Sequence, residues 1–206
     1  MDLFQKAYDF KDAEAARQSG LYPYFHALET CQDTEVVMDG KPIIMLGSNN
    51  YMGLTSDPRT IAAAREALDQ YGTGCSGSRF LNGTLQLHEE LETELAELAQ
   101  FFHKDGAVTF STGFQTNLGI ISSIVGRHDY IINDSENHAS IIDGCKLSYA
   151  RSTVKYAHSD MEDLERVLSR LSLDAGKLII TDGVFSMSGD LCKLPEIVAL
   201  ARKYNA

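Results

Sequence analysis

DYIINDSENHASIIDGCKLSYARSTVKYAHSDMEDLERVLSRLSLDAGKLIITDG, residues 129–183, alternates short apolar runs with amphipathic stretches. Asp129–Asn133, Val154–Ala157 and Leu178–Thr181 have strand length and strand composition. Between them, His138–Tyr149 and Asp160–Leu171 carry apolar residues at helical spacing. The second stretch is opened by Ser159 with Glu162 three residues on, the pattern of a capping box. Working outward, Ala107–Phe110 predicts a further strand followed by a helix over Gly113–Val125. On the other side, Pro195–Tyr204 predicts a helix with proline in its first turn. Four β-then-α units in succession predict parallel strands in a doubly wound α/β sheet. The pattern stops at Lys203-Tyr204-Asn205-Ala206, where another strand is due. The sheet is therefore expected to be incomplete, finished by further chain or by a second polypeptide.

Towards the N-terminus the rhythm differs. Residues 3–18 predict one amphipathic helix ending at Gly20, before Tyr22-Pro23. Glu35–Met38 and Ile43–Leu46 predict strands of a hairpin around Asp39-Gly40. A helix is expected from Pro58 after Asp57, then a glycine-rich loop over Gly72–Gly83, then a helix from Thr84 to Phe101. Residues 1–56 are expected to form an N-terminal helix-and-hairpin segment and 57–206 part of a larger domain. Gly72-Thr73-Gly74-Cys75-Ser76-Gly77 satisfies GxGxxG, but it leaves a helix and enters loop. The dinucleotide fingerprint leaves a strand and opens a helix, so a nicotinamide site is not expected.

The bulk properties narrow the function further. Of 206 residues, 44% are hydrophobic and 23% charged, and the net charge is −11. A negative field argues against general nucleic-acid or anionic-membrane binding. Cys31, Cys75, Cys145 and Cys192 form no CxxC pair, and the charged start lacks the apolar run of a signal peptide. No stretch approaches the ~20 apolar residues needed to span a bilayer. A cytoplasmic protein without a transmembrane segment is expected. Histidine and cysteine show no metal spacing, so no metal site is expected.

In open α/β sheets ligands gather beyond the carboxyl ends of the strands. Three such ends carry notable residues. After Phe110 comes Ser111-Thr112-Gly113-Phe114 at a helix start, whose free N–H groups and dipole suit a phosphate. Simple capping by Ser111 or Thr112 is the preferred account of that segment taken alone. After Asn133, His138 stands at the next helix start, where it is suited to stacking, to acid–base work or to an ordinary capping position. After Thr181, the segment Asp182–Asp190 carries Ser186, a residue that also suits a turn.

These segments together resemble the α-oxoamine synthases, fold-type-I pyridoxal-phosphate enzymes. The stretches that carry the resemblance are GLYPYF (20–25), GSNNYMGL (47–54), YGTGCSGSRFLNGTLQLHEELE (71–92), FSTGFQTN (110–117), NDSENHASIIDG (133–144), TDGVFSMSGDLCKLPEI (181–197) and KYNA (203–206). They occur in family order and cover nearly everything after residue 20. The resemblance implies the large domain of the fold-type-I aminotransferases, incomplete here. It implies that Ser111, Thr112, Gly113 and Phe114 cradle the phosphate of pyridoxal 5'-phosphate. It further implies that His138 stacks on the pyridine ring as the catalytic histidine, that Asp182 and Ser186 lie beside the cofactor, and that Asn49 and Ser78 serve the substrate. The 72–83 loop is expected near the interface of a homodimer.

The activity implied is condensation of an amino acid with an acyl-CoA. GSRFLNGTLQLH and YPYF look most like soluble bacterial members that take L-serine with loss of CO₂, the first step of sphingolipid synthesis. Members that use glycine or build aminooxononanoate are the alternatives within the family, and another aminotransferase-like fold-type-I enzyme is a further one. The family's Schiff-base lysine and the aspartate to the ring nitrogen match no residue through Ala206. This chain by itself is therefore expected to be inactive and to bind cofactor weakly. A non-catalytic partner subunit is the alternative of another class.

Overall fold

The computed structural model describes residues 2–206 and divides into two compact units, Met1–Gly83 and Thr84–Ala206. In the first unit, the helix expected over 3–18 is two short helices, α1 (Gln5–Tyr8) and α2 (Asp12–Gln18). Neither buries a residue. Without packing, propensity alone does not sustain a longer helix. Strands β1 (Glu35–Met38) and β2 (Lys41–Ile44) pair antiparallel around Asp39 and Gly40. Both turn residues have positive φ (50° and 68°), which matches the twist of a two-residue hairpin. Helix α3 (Pro58–Tyr71) is capped by Asp57, which accepts from Arg59 N–H at 2.8 Å. In the loop that follows, a Cβ on Gly83 would stand 1.9 Å from the Gly77 carbonyl oxygen, so this close backbone approach requires glycine.

The second unit opens with α4 (Gln86–Gln100) and α5 (Gly113–Ile124). Residues 107–110, expected as a strand, belong to no strand, and Val108 is 73% exposed. A short apolar run becomes a strand only where a neighbour pairs with it, and no described strand does so here. There follow β3 (Tyr130–Asp134), α6 (Ala139–Leu147), β4 (Ser152–Tyr156), α7 (Met161–Leu168), β5 (Lys177–Ile180) and α8 (Leu194–Lys203). The strands run parallel in the order β4-β3-β5, three β-then-α units instead of four. The α/β class with an incomplete parallel sheet is as expected.

Alternation along β3 separates the two cores. Ile132 packs with Tyr156, Leu164, Val167, Leu168 and Ile197, beneath α7 and α8. Ile131 packs with Ile121, Val125, Ile141 and Cys145, beneath α5 and α6. Adjacent residues of a strand face opposite sides of its sheet, so one Ile-Ile pair seeds both layers.

Helix α7 starts one residue later than its capping-box pattern suggests. Asp160, not Ser159, is the cap and accepts from Asp163 N–H at 3.0 Å. Ser159 instead takes a left-handed turn (φ 52°) and gives its N–H to Asp134. Asp160→Ala is expected to cost about 1 kcal/mol in urea unfolding, as loss of a helix cap does. Ser159→Gly should be neutral or stabilising, because it relieves a positive φ without removing the cap. A larger loss at Ser159 than at Asp160 would contradict this assignment.

Candidate active site

The carboxyl ends of β3 and β5 are joined by one buried amide. Asn137 donates through Nδ2 to Asn133 Oδ1 (2.7 Å) and to the Ile180 carbonyl (2.8 Å). Its Oδ1 accepts from Asp182 N–H at 2.8 Å. A backbone carbonyl on one side and a backbone N–H on the other leave this amide a single orientation. Asp182 in turn accepts the His138 N–H at 2.7 Å. The start of α6 is thereby tied to the segment that leaves β5.

His138 is the cap of α6. Its Nδ1 accepts from Ser140 N–H at 3.1 Å and lies 2.7 Å from Ser140 Oγ. A ring nitrogen that accepts a backbone N–H carries no proton itself, so Nδ1 is the unprotonated nitrogen of the ring. Buried Ser140 also accepts from Asn117 Nδ2 on α5 at 2.9 Å. The imidazole is thus oriented from α5 and α6 together.

His138 faces a hollow of about 280 Å³ lined by Glu136, Asn137, His138, Ala139, Asp182, Phe185, Ser186, Met187 and Ser188. Three residues singled out in the sequence, His138, Asp182 and Ser186, therefore share one hollow. Ser111, Thr112, Gly113 and Phe114 do not line it. They stand at the start of α5, which reaches His138 through Asn117 and Ser140. The Thr112 hydroxyl caps the helix, accepting from Gln115 N–H at 3.1 Å, which leaves its O–H as a donor. A Cβ on Gly113 would meet nothing within 4 Å, so the first turn opens onto free space. Asn49 and Ser78 lie in the other compact unit, where both are exposed. Asn49 accepts from the Tyr51 hydroxyl at 3.3 Å. The carbonyl of Ser78 accepts the N–H groups of Leu81, Asn82 and Gly83.

The sequence reading overlooked a second polar group at the same sheet edge. Buried Asp134 accepts from Glu136 N–H (3.0 Å), Ser159 N–H (3.0 Å) and His158 Nδ1 (2.9 Å). His158 Nε2 lies 2.8 Å from Asp190 Oδ2, and Asp190 also holds the Ser188 hydroxyl. The Asp134 hydrogen bond, seconded by Asp190, raises the His158 pKa against the desolvation that lowers it. Ser188 first, then His158, hold the Asp190 carboxyl below its ordinary range. Burial, with the charge of Asp134 beside it, pushes the Tyr156 phenol well up. Asn137 was discoverable from its i, i+4 spacing to Asn133 at a strand end. His158 was discoverable because it follows the carboxyl end of β4, the one strand end that the sequence reading passed over.

Residues 41–206 match the family of aminotransferases of class I and II. A serine palmitoyltransferase from Sphingobacterium spiritivorum is 53% identical over 204 residues, covering 99% of this chain and 50% of that protein. An 8-amino-7-oxononanoate synthase from Thermoanaerobacter pseudethanolicus is 49% identical over 94% of this chain and 48% of its own length. The serine palmitoyltransferase of S. paucimobilis, solved with PLP and myriocin bound, superposes with a TM-score of 0.91 at 43% identity. That superposition covers all of this chain and 52% of the other. The chain thus spans about half the length of the relatives it matches. On the match over residues 41–206 and on these relatives, the chain belongs to the class I and II aminotransferase family.

Proposed function

We propose that this chain forms the His138 side of a pyridoxal-phosphate site in an enzyme that condenses L-serine with an acyl-CoA and releases CO₂, as a serine palmitoyltransferase does. One observation carries the reading: His138, oriented by Ser140 and Asp182, shares a strand-end hollow with Ser186. The residues fit the cofactor. A hollow of about 280 Å³ sits at the small end of ligand sites. An exposed imidazole on its wall suits a flat ring, and the open first turn of α5 suits a phosphate. The phosphate donors proposed are the N–H groups of Gly113 and Phe114 with the hydroxyls of Ser111 and Thr112, since Thr112 caps the helix as an acceptor and keeps its O–H to donate.

When bound, the cofactor supplies an electron sink for a carbanion at the substrate's α-carbon. The protein's part is orientation. Ser140 and Asn117 fix the imidazole plane, and Asp182 fixes the height of His138 above the hollow. Ser186 lines the same hollow and offers a hydroxyl there. Asn49 and Ser78 as substrate contacts, residues 57–206 as the cofactor domain, a homodimer and a cytoplasmic location belong to the same reading. No residue of this chain is assigned as Schiff-base lysine or as the partner of the ring nitrogen, and the chain alone is proposed to be inactive.

The 49% identity to an 8-amino-7-oxononanoate synthase favours that activity as the second reading. Glycine C-acetyltransferase chemistry is a third outcome of the same assay. Acyl-CoA-dependent turnover by the full-length protein, compared among serine, alanine and glycine, separates the three. In that protein His138→Ala is expected to lower kcat about 100-fold, the lower end of acid–base and positioning effects. Serine condensation undiminished in the alanine variant would remove His138 from the site.

A further inference from the structure

The segment 182–190 provides Asp182, Phe185, Ser186, Met187 and Ser188 to the hollow, yet it belongs to no helix and no named strand. Its own hydrogen bonds form a small knot. Phe185 N–H donates to the Asp190 carbonyl (2.9 Å), and Gly189 N–H to the Phe185 carbonyl (2.7 Å). Val184 forms an isolated antiparallel bridge with Leu191, and Cys192 N–H donates to the Gly183 carbonyl at 3.1 Å. Towards the sheet, the far end of this knot is held by His158. The imidazole Nδ1 faces Asp134 at 2.9 Å and Nε2 faces Asp190 at 2.8 Å, while the Phe185 ring stands edge-on at 4.4 Å.

An ionised carboxylate has no proton to give, so a ring with a carboxylate at each nitrogen is satisfied only when both nitrogens donate. That is the imidazolium. We propose that His158 is a positioning residue: as a cation bridging Asp134 on the sheet to Asp190 on the segment, it fixes the wall of the hollow that carries Ser186. The bond pattern makes this wall conditional. Deprotonation takes one donor from the ring and leaves either Asp134, which is buried, or Asp190, which is half-exposed, facing a lone pair. Water can replace the lost donor at Asp190 (42% exposed) but not at Asp134 (1% exposed), so the contact released is the one to Asp190.

The groups facing His158 all act in the same sense. Asp134 comes from β3, Glu136 from the turn after it with Oε2 at 3.8 Å, and Asp190, whose other oxygen accepts the Ser188 hydroxyl, from the segment. Tyr156, one residue before Ala157 on β4, stays a neutral phenol. Of the carboxylates near α7, Asp160 caps the helix, and Asp163 pairs with Arg166 and accepts the Ala157 N–H. Among the described residues no Lys or Arg acts against the cation. Because the folded state raises the His158 pKa, the clamp is whole below the ordinary histidine range and is lost as pH rises through the folded value. Because the folded state lowers Asp190, the clamp is lost again as pH falls through that carboxyl's own titration.

The test is amide hydrogen exchange of the full chain as a function of pH, corrected for intrinsic rates. Protection at Phe185 and Gly189 is expected to fall at least tenfold as pH rises past the His158 titration, while α6 and α7 stay protected. In H158Q, which keeps one donor and no charge, that protection should be low at every pH. Should H158Q not fold, the wild-type profile against that of D190N gives the same reading, because D190N removes only the outer carboxylate. Protection that ignores pH in the wild type, or that survives in H158Q or D190N, overturns the clamp. Its effect on ligand binding rests on the reading of the hollow as a cofactor site. An absorbance titration of the full-length protein with pyridoxal phosphate should show about tenfold weaker binding in H158Q. If neither wild type nor H158Q binds while the exchange pattern holds, the cofactor reading fails and the clamp stands. Equal binding by both overturns the clamp's role at the hollow.

Discussion

Asn137→Ala is expected to lower the unfolding free energy by about 3 kcal/mol, from three hydrogen bonds worth about 1 kcal/mol each when their partners stay buried. The side chain is 6% exposed, so water does not replace it cheaply. Asn133 Oδ1, the Ile180 carbonyl and the Asp182 N–H would all lose their partner. Asn137→Asp should be no better, because a carboxylate oxygen would then face both the Ile180 carbonyl and Asn133 Oδ1. Urea unfolding of the three proteins measures this. A loss under about 1 kcal/mol for the alanine variant would mean that these groups find other partners, as the same rule requires. The hollow should respond as well, since Asp182 is held on one side by Asn137 and holds His138 on the other.

Asp134→Ala is expected to cost about 3 kcal/mol near neutral pH, the lower end of what breaking a buried ion pair costs. Asp134 is 1% exposed and His158 is not sealed from solvent, which places the cost at that lower end. The alanine leaves the His158 cation with the weaker Asp190 contact and strips the N–H groups of Glu136 and Ser159. The pH dependence has a definite sign. The His158–Asp134 contribution is fully present below the ordinary histidine range and disappears as pH rises through the raised folded value. The gap between wild type and variant should therefore narrow on the alkaline side. Asp134→Asn, which keeps an acceptor but no charge, should fall between them. A gap that is constant from acid to alkaline pH would show that His158 does not titrate against Asp134.

Much of the fold is legible in the sequence because its signals are local. The Asp39-Gly40 turn, the Asp57 cap and the β3 run are read from a handful of neighbouring residues, and the structure follows them within a residue or two. Residues 107–110 were misread because strand formation depends on a partner that the run itself does not specify. Ser159-Asp160 were misread by one position because two capping-competent residues stand side by side, and only the demand of Asp134 for the Ser159 N–H decides between them. The site was half legible. His138, Asp182 and Ser186 follow strand ends and were found by that rule. Asp134 was not, because a polar residue's burial is a property of the finished fold, and Asn137 had only its spacing to Asn133 to mark it within NDSEN.

The Asn137 amide also bears on the order of events in folding. Its bonds to Ile180 and Asp182 join residues 43 and 45 positions apart in the chain. While the protein is being synthesised, α5 and α6 can pack as soon as both have emerged, since their shared layer lies within one short stretch. The hollow cannot form then, because its second wall is made only when β5 docks beside β3. A nascent chain that stops short of Asp182 carries His138 without the hollow, which forms only once β5 has docked beside β3.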